Sequence, residues 1–418
     1  MRKTLLTALI LVAGAAGAAA QDRRGFVWDD RPTIVFGEDI TLGIRAKLQL
    51  DWRRFDPQID EERYDFRTLR FGFKGDLTKH FDYEIERAIE KDGELGEWKD
   101  VYLNWSTFDA VRVKAGRFKM PFGLEQNTGA TDVDFAYRSL ASSTIAPGRD
   151  RGVMVYGEIG RLGYEAGMFD DDGDNGELKE PQFVEAGEDL HGVGPSFAAR
   201  LTGDLFRALP VPDKLKSANF GVAYTNASVP EGLNSLRGQS VWGTEDFFAP
   251  VYVKGRRQRY GAQFDWTPGP AGLKAEWMQS REQRLGQSNR NEDLSDFVGT
   301  GWYLSGTWFV TGEDKNDDVN PRHPLFRGGI GAIEIGARYD VLEFGSANKT
   351  GTAFTNPRAD PLLANSDQVW TFGVNWMLNR WARVITNAIH EEFADAARSP
   401  DSGTASFWSG LLRLQVVF

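Results

Sequence analysis

Apolar and polar residues alternate along most of the chain with a period of two. In the clearest early segment, every second residue is apolar and the residues between are polar or glycine. The apolar set is Leu42, Ile44, Ala46, Leu48, Leu50 and Trp52, and the other set is Gly43, Arg45, Lys47, Gln49, Asp51 and Arg53. This period is typical of a β-strand with one apolar and one polar face. A helix with the same sequence would spread its charges around its whole circumference.

The alternation continues to the C-terminus. In the last segment Trp408, Leu412 and Leu414 alternate with Ser409 and Arg413, and the chain ends on an aromatic residue, Phe418. Further strands are predicted around 69–73, 81–85, 101–105, 111–115, 152–158, 164–169, 197–203, 218–224, 260–267, 273–278, 302–311, 333–342, 370–377 and 382–390. We expect little helix after the N-terminal segment.

Composition excludes several functional classes. The chain has 418 residues, no cysteine, and four histidines, none of them paired at a metal-ligand spacing. Without cysteine it has no disulfide, no thiolate-bound zinc and no thiol nucleophile. The formal net charge of −11 argues against nucleic acid as a partner, because neutralising phosphates requires a basic excess. The mean hydropathy of −0.42 excludes a helical membrane protein.

The N-terminus has the pattern of a secretory signal peptide. Arg2 and Lys3 precede an apolar run over 5–16, and three alanines at 18–20 precede Gln21. We therefore predict a cleaved signal over 1–20, a short periplasmic segment over 21–40 and a single β domain over 41–418. The exported protein is expected in the outer membrane.

Strands with one apolar face fit either a soluble sandwich or a transmembrane barrel. A sandwich turns its polar face to water, whereas a barrel turns its apolar face to lipid and its polar face to a wet lumen. Charged residues on most polar faces, and Trp, Phe and Tyr near strand ends, favour the barrel. Closure also leaves no unpaired strand edge in the membrane. At ~20–25 residues per strand with its connections, the length gives about 16 to 18 strands.

Several segments resemble the phosphate-selective porin O and P family of outer-membrane porins. They keep their order along the chain: 116–125 (GRFKMPFGLE), 147–153 (PGRDRGV), 301–313 (GWYLSGTWFVTGE), 334–339 (EIGARY), 373–376 (GVNW) and 412–418 (LRLQVVF). The resemblance implies a 16-stranded barrel that forms a homotrimer and passes small anions such as phosphate or polyphosphate. It also implies a loop that folds into the pore after an early strand, and 120–125 is the candidate for its beginning.

Cations on the polar faces of the first strands are the candidate pore-lining, anion-binding residues. They are Arg45, Lys47, Arg53, Arg70, Lys74, Arg112 and Lys114, joined by Arg117 and Lys119 just before the inward loop. Fixed cations in a wet pore favour anions, and the arginine fork suits phosphate. The alternative is that they are ordinary solvated lumen residues without selectivity. Five carboxylates on the same faces would partly cancel the positive charge of these cations: Asp51, Asp76, Glu84, Glu86 and Asp100.

Two acidic or polar stretches read as solvated external loops. In the stretch that starts at Asp170, the sixth position is Asn175 and the twelfth is Pro181, so the pattern of a calcium-binding loop fails. The second stretch is 312–322. We predict no metal site and no cofactor.

Catalysis has little support in the sequence. The chain contains no G-x-S-x-G elbow, P-loop or H-E-x-x-H motif, and neighbouring carboxylates such as Glu391 and Glu392 point to opposite faces of a strand. Besides the anion-selective porin, two alternatives stay open. One is a general non-selective porin. The other is a structural or adhesive barrel with a closed lumen, whose loops at 170–195 and 225–256 bind an external partner.

Overall fold

The computed structural model describes most of the chain after the predicted signal peptide. The described residues are 25–28, 31–56, 64–176, 178–179, 194–204, 206, 210–212, 216–242, 246–315 and 319–418. The predicted signal peptide at 1–20 and one of the four histidines, His191, lie outside the described residues.

The described residues are almost entirely β-strands. The strands are β1 (Gly25–Trp28), β2 (Pro32–Phe36), β3 (Ile40–Asp56), β4 (Tyr64–Thr78), β5 (Phe81–Ile89), β6 (Leu95–Phe108), β7 (Val111–Lys119), β8 (Arg149–Ile159), β9 (Leu162–Phe169), β10 (Leu178–Lys179), β11 (Ser196–Gly203), β12 (Asn219–Asn234), β13 (Gly238–Gln239), β14 (Asp246–Phe248), β15 (Tyr252–Trp266), β16 (Ala271–Arg284), β17 (Leu294–Phe309), β18 (Ala332–Ser346), β19 (Asn365–Met377), β20 (Ala382–Phe393) and β21 (Ser406–Val417). One α-helix, α1, spans Leu140–Thr144, and Leu325–Arg327 and Ala396–Arg398 form 3-10 turns.

Sixteen of these strands form a closed antiparallel barrel. Each pairs with the next along the chain, and the ring closes between β21 and β3, where Leu414 lies opposite Leu50 and Gln415 opposite Gln49. The strands β1, β2, β10, β13 and β14 lie outside the ring. The structure thus confirms the predicted all-β barrel and the lower of the predicted strand numbers.

The alternation of the sequence separates the two faces of the barrel wall. On β21, Trp408, Leu412 and Leu414 are exposed on the outer surface, whereas Ser409 and Arg413 are buried inside. Because each strand pairs on both sides, its backbone groups are satisfied without water, as lipid requires. None of the helices among the described residues is long and apolar enough to cross a membrane.

Outward-facing aromatic residues form bands near the strand ends. Toward one end, Trp302 contacts Tyr339 at 5.5 Å between ring centroids, and Tyr339 contacts Trp370 at 4.7 Å. Toward the other end, Trp308 and Trp376 are exposed on the same surface. Such bands are typical of the two membrane–water interfaces of a barrel.

The two ends of the barrel differ in the length of their connections. At the turn end, connections are as short as residues 79–80, 109–110 and 160–161, and Phe418 lies there beside β3. At the loop end most connections are longer, such as 120–148 and 347–364. Short turns mark the periplasmic side of outer-membrane barrels, so the turn end is periplasmic.

This polarity corrects one prediction. The described parts of the stretch 312–322, residues 312–315 and 319–322, lie in the connection between β17 and β18 at the turn end, so they do not belong to an external loop. The local composition of the stretch resembled that of a loop-end connection, and only the strand direction reveals its side.

The segment before the barrel forms a hairpin. Strands β1 and β2 pair with each other, and β2 then pairs with the start of β3, where Thr33 lies opposite Gly43. The short segment predicted over 21–40 thus contains an extension of the sheet at the turn end, and the barrel begins at Ile40.

Candidate functional site

The connection between β7 and β8, residues 120–148, lies inside the barrel; we call it the inward segment. It contains α1, whose N-cap Ser139 accepts a hydrogen bond at its Oγ from the N–H of Ser142 at 3.2 Å. Leu140 and Ala141 of this helix are buried. The predicted inward loop is therefore present, and it begins in the predicted place.

Polar side chains of the inner wall hold the inward segment by its carbonyl oxygens. Donors on strands β3 and β18 to β21 each reach a different carbonyl of the segment. The pairs are Gln49 to Ala130 (3.1 Å), Gln415 to Thr131 (2.9 Å), Arg383 to Val133 (3.0 Å), Asn375 to Asp134 (2.7 Å), Arg413 to Ala136 (2.5 Å) and Arg338 to Tyr137 (2.9 Å). The segment is thus fixed across a large part of the wall.

A buried carboxylate holds the start of the segment. Glu276 on β16 accepts hydrogen bonds from the N–H groups of Leu124 at 2.5 Å and Glu125 at 2.9 Å. Its Oε2 also accepts the hydroxyl proton of Tyr303 at 2.9 Å. A carboxylate with several donors fixes backbone geometry strongly, because hydrogen bonds to a charged group are stronger than neutral ones.

A second carboxylate is joined to the wall in the middle of the segment. Asp134 lies 3.0 Å from the ammonium of Lys274 on β16 and 2.7 Å from that of Lys315 in the connection after β17. Lys315 also contacts Glu334 on β18. Burial raises the pKa of Asp134, but the two ammonium groups outweigh burial and bring the pKa well below its usual range.

Four of the predicted cations face the lumen in ion pairs with carboxylates. Lys47 and Arg70 both contact Glu86, at 2.6 and 3.0 Å. Arg45 contacts Glu84, and Lys74 lies 4.0 Å from the same carboxylate with 43% of its side chain exposed. On the inner wall of the first strands, carboxylates of β5 therefore form ion pairs with cations of β3 and β4.

Three more of the predicted cations also face inward, with different partners. Arg53 lies 3.0 Å from Asp65 and stacks over Trp242. Arg112 lies 2.6 Å from Asp109, close to the turn end. The ammonium of the half-buried Lys114 lies over three rings: Tyr102 at 4.5 Å, Tyr156 at 5.4 Å and Phe118 at 5.5 Å from the centroids.

The last two predicted cations have other positions. Arg117 lies opposite Val101 on the outward-facing side of β7, where it contacts Asp174 at 2.5 Å. Lys119, at the end of β7, donates to the carbonyl oxygens of Asn127 and Thr128 in the inward segment. Arg117 is thus not on the lumen surface, and Lys119 supports the segment that narrows the lumen.

The structure adds three cations that the sequence pattern did not single out. Arg67 is exposed in the lumen, with its guanidinium 5.3 Å from the ring of Tyr137. Arg138 of the inward segment donates to two backbone carbonyls, and Arg149 binds Asp100 through two hydrogen bonds. The sequence could have indicated Arg138 as a lumen cation, because this residue follows the predicted start of the inward loop.

Arg67 was hidden by an irregularity in strand pairing. By alternation it shares a face with Leu69 and Phe71, which point to lipid. A β-bulge interrupts the pairing of β3 with β4 between Gln49 and Leu50, and it turns Arg67 inward. A bulge of this kind leaves no clear mark in the local sequence.

A cavity of about 990 Å³ opens below the inward segment at the turn end. Its lining contains more cations than carboxylates. The cations are Arg31, Arg45, Arg200, Lys274, Lys315, Arg380 and Arg383, and the carboxylate side chains are Asp132, Asp134, Asp265 and Glu334. The terminal residue Phe418 also lines it, and its carboxylate adds one negative charge. The cavity is therefore a basic vestibule, although the chain as a whole is acidic.

The loop end of the C-terminal strands is filled with apolar side chains. Phe247 and Phe248, in the connection between β12 and β15, pack against Phe344 at centroid distances of 6.4 and 5.4 Å. Trp242 of the same connection donates to Ser409 at 2.9 Å. By contrast, the inner cations Arg67 and Lys74 on β4 are exposed.

The acidic stretch that starts at Asp170 was predicted to be a solvated loop, and this is wrong for Asp172. Its carboxylate is fully buried between Arg257 at 2.9 Å and Arg259 at 2.5 Å, both on the inner face of β15. Within the part of the chain that the structure describes, no group of three or more His, Asp or Glu side chains is arranged to hold a metal.

Sequence comparison gives a family and one relative. The family described as "Phosphate-selective porin O and P" matches residues 42–418. Porin O of Pseudomonas aeruginosa is 24% identical over 385 residues, covering 82% of this chain and 81% of the relative.

Solved structures share the fold at low sequence identity. The outer membrane channel DcaP of Acinetobacter baumannii superposes with a TM-score of 0.56 at 10% identity, over 94% of this chain and 100% of that one. A loop-deletion mutant of OmpT, an outer membrane protein of Vibrio cholerae, gives 0.55 at 11% identity, over 91% and 100%. At such identities the likeness shows the fold alone.

Proposed function

Because this chain belongs to the phosphate-selective porin O and P family, and is thus an outer-membrane channel protein, we propose that it passively conducts small anions, with inorganic phosphate as the favoured solute. The observation that carries this proposal is the basic vestibule below the inward segment. In this cavity cationic side chains outnumber carboxylates although the whole chain carries a net charge of −11.

Fixed charge at a narrow point decides which ions enter. A cationic lining lowers the entry barrier for an anion and raises it for a cation, and the low-dielectric wall strengthens both effects. Arginine suits phosphate because its planar guanidinium donates two parallel hydrogen bonds, whereas lysine acts as a point charge.

The ion pairs divide the cations into two groups. Arg45, Lys47 and Arg70 each have a carboxylate partner on β5, so each pair adds little net charge to the pathway. Arg67 and Lys74 are more exposed and more loosely paired. We assign anion attraction mainly to the second group and to the vestibule cations other than Arg45, and ordering of the wall to the first group.

Planar-bilayer recording in a KCl gradient tests the proposal. The expected result is an open channel whose current reverses near the chloride potential and falls as phosphate is added. A current that reverses near the potassium potential would overturn the proposal. A reversal potential of zero would indicate the general, non-selective porin.

A closed, adhesive barrel is a second candidate, and the apolar filling at the loop end favours it. Phe247 and Phe248 occupy the lumen there, so the open cross-section is limited to the side of β4. A protein that inserts into bilayers but conducts no current would support this function.

Two further parts of the proposal concern processing and assembly. We infer that residues 1–20 are removed on export and that the mature chain forms a homotrimer. A structure of OmpT described as a trimer form shares the fold, with a TM-score of 0.54 over 91% of this chain. N-terminal sequencing of the protein from outer membranes and native mass spectrometry in detergent test the two inferences.

A further inference from the structure

A hollow on the outer surface of the barrel contains two arginines on a wall that otherwise faces lipid. It measures about 610 Å³ and lies on β15, β16 and the start of β17. Its lining residues are Arg256, Gln258, Tyr260, Trp277, Gln279, Arg281, Gln283 and Asp296. We propose that this hollow binds the phosphorylated sugar head group of a glycolipid in the outer leaflet of the membrane.

The hollow lies at the height of lipid head groups. It is near the loop end of its strands, since β16 ends at Arg284, and the loop end faces the cell exterior. Tyr260 and Trp277 form its lower rim, with 39% and 40% of their surfaces exposed. Tyr and Trp settle at the interface between acyl chains and head groups, so the residues above them meet the polar layer.

Its cations are available to a ligand. Arg281 is 54% exposed in its side chain and has one acidic partner, Asp296, at 2.5 Å. Among the described residues, the guanidinium of Arg256 has no hydrogen bond or ion pair. An arginine guanidinium can bind two phosphate oxygens at once through parallel hydrogen bonds. In the hollow, Arg256 is free to bind a phosphate in this way, whereas Arg281 is shared with the carboxylate of Asp296.

The glutamines supply the groups that a sugar needs. Gln258 donates to the hydroxyl of Tyr224 at 2.8 Å, and Gln279 donates to Thr300 at 3.2 Å. Among the described residues neither amide oxygen accepts a hydrogen bond, so each is left as an acceptor for sugar hydroxyls. Gln283 accepts the N–H of Arg256 at 2.9 Å, which leaves its NH₂ group as a donor.

The surface below the hollow fits acyl chains. On β17, Trp302 lies opposite Trp277 at the lower rim and Leu304 lies below it, and both face outward with 39% and 50% of their surfaces exposed. The combination of phosphate ligands and sugar ligands at one height, with an apolar wall below them, matches a phosphorylated glycolipid. It does not match free phosphate, which needs no apolar surface.

The register explains why the cations point outward here. Strand β15 carries the sequence Arg256-Arg257-Gln258-Arg259, in which Arg257 and Arg259 point into the lumen and Arg256 points to the lipid side. Across the pair, Gln258 lies opposite Arg281. The outward cations therefore belong to a surface separate from the inner wall, and the proposal does not depend on anion selectivity.

Native mass spectrometry of the folded barrel in detergent, with lipid A as the probe, tests the inference. We expect lipid A to stay bound to the wild type and its affinity to fall about 30-fold in a variant with both Arg256→Ala and Arg281→Ala. Dephosphorylated lipid A and inorganic phosphate should bind much more weakly than lipid A. The heat-dependent shift on an SDS gel shows that each variant is folded.

A matched control is available elsewhere on the outer wall. Arg151 on β8 is also outward, 67% exposed, and paired with Asp170 at 3.3 Å. Arg151→Ala should leave lipid A binding unchanged, and Asp296→Asn should strengthen it, since it frees Arg281. Equal binding by the wild type and the double variant would overturn the proposal. So would a double variant that loses only self-association, which would assign the hollow to a second copy of the chain.

Discussion

The ammonium of Lys315 lies 2.7 Å from the carboxylate of Asp134, and this contact joins a turn-end connection to the inward segment. The same carboxylate contacts Lys274 on β16 at 3.0 Å. Asp134 thus has two effects on the vestibule: it orders the segment, and it cancels part of the cationic excess.

Asp134→Asn should make the channel more selective for anions. The change removes one negative charge from the vestibule lining, and we expect the anion-to-cation permeability ratio to rise about two- to fivefold. The reversal potential in a KCl gradient measures this ratio. Asp395→Asn, in an exposed loop-end turn, is the control and should have no effect. An unchanged ratio in Asp134→Asn would show that the pathway avoids the vestibule.

The difference between the wild type and Asp134→Asn should not depend on pH between 7 and 4.5. The pKa of Asp134 lies well below its usual range, so the carboxylate stays charged throughout that window. Its stabilising ion pairs are complete above the pKa of an unfolded aspartate, about 3.9, and are lost only as pH falls through the lowered folded value. Reversal potentials of both proteins at pH 7, 5.5 and 4.5 check this. A difference that disappears by pH 5 would contradict it.

Arg67→Ala should reduce the anion preference, because it removes an exposed lumen cation. We expect a loss of about two- to fivefold in the permeability ratio, on the order of one screened unit charge. Arg117→Ala is a close match in residue type but lies on the outward face, so the ratio should not change. If the two variants gave equal ratios, the inward turn of Arg67 at the β-bulge would have no part in selectivity.

Glu276→Gln should loosen the start of the inward segment. A glutamine keeps one acceptor oxygen but presents an NH₂ group where Glu276 accepts the N–H of Glu125 and the hydroxyl of Tyr303. We expect a loss of about 1–3 kcal/mol in the free energy of unfolding and a noisier single-channel current. Glu392→Gln, on the exposed side of β20, is the control. A steady current of wild-type amplitude would mean that other contacts suffice.

Gly116→Ala should destabilise the barrel strongly. Gly116 has φ +129°, and a Cβ there would lie 2.2 Å from the carbonyl oxygen of Val101. We expect a cost of about 2–4 kcal/mol in urea unfolding followed by gel shift. At Gly410, an added Cβ meets no atom within 4 Å, so Gly410→Ala should unfold close to the wild-type midpoint.

The fold was predictable because lipid and water impose a period of two on each strand. Leu412 and Arg413 have opposite surroundings in the structure, as their positions in the alternation predict. The same rule explains the position of Arg117, which is out of phase with Arg112 and Lys114 and therefore points outward.

The site was less predictable because it depends on contacts between distant segments. The burial of Asp172 depends on Arg257 and Arg259, whose direction on a separate strand the local sequence near Asp172 does not encode. The inward turn of Arg67 depends on a bulge in strand pairing. Neither a cross-barrel ion pair nor a change of register appears in a local hydrophobic pattern.

The seam between β3 and β21 has a consequence for how the molecule forms. Lys47 pairs with Val417, so the last residues of the final strand complete the sheet that the first barrel strand begins. Until they meet, a growing sheet carries two open edges, and neither can be left open in lipid. Pairing of two strands so distant along the chain is slow, because the chain between them must lose conformational entropy before any hydrogen bond between the two strands forms. We therefore expect closure of the ring between β3 and β21 to be the last step of folding.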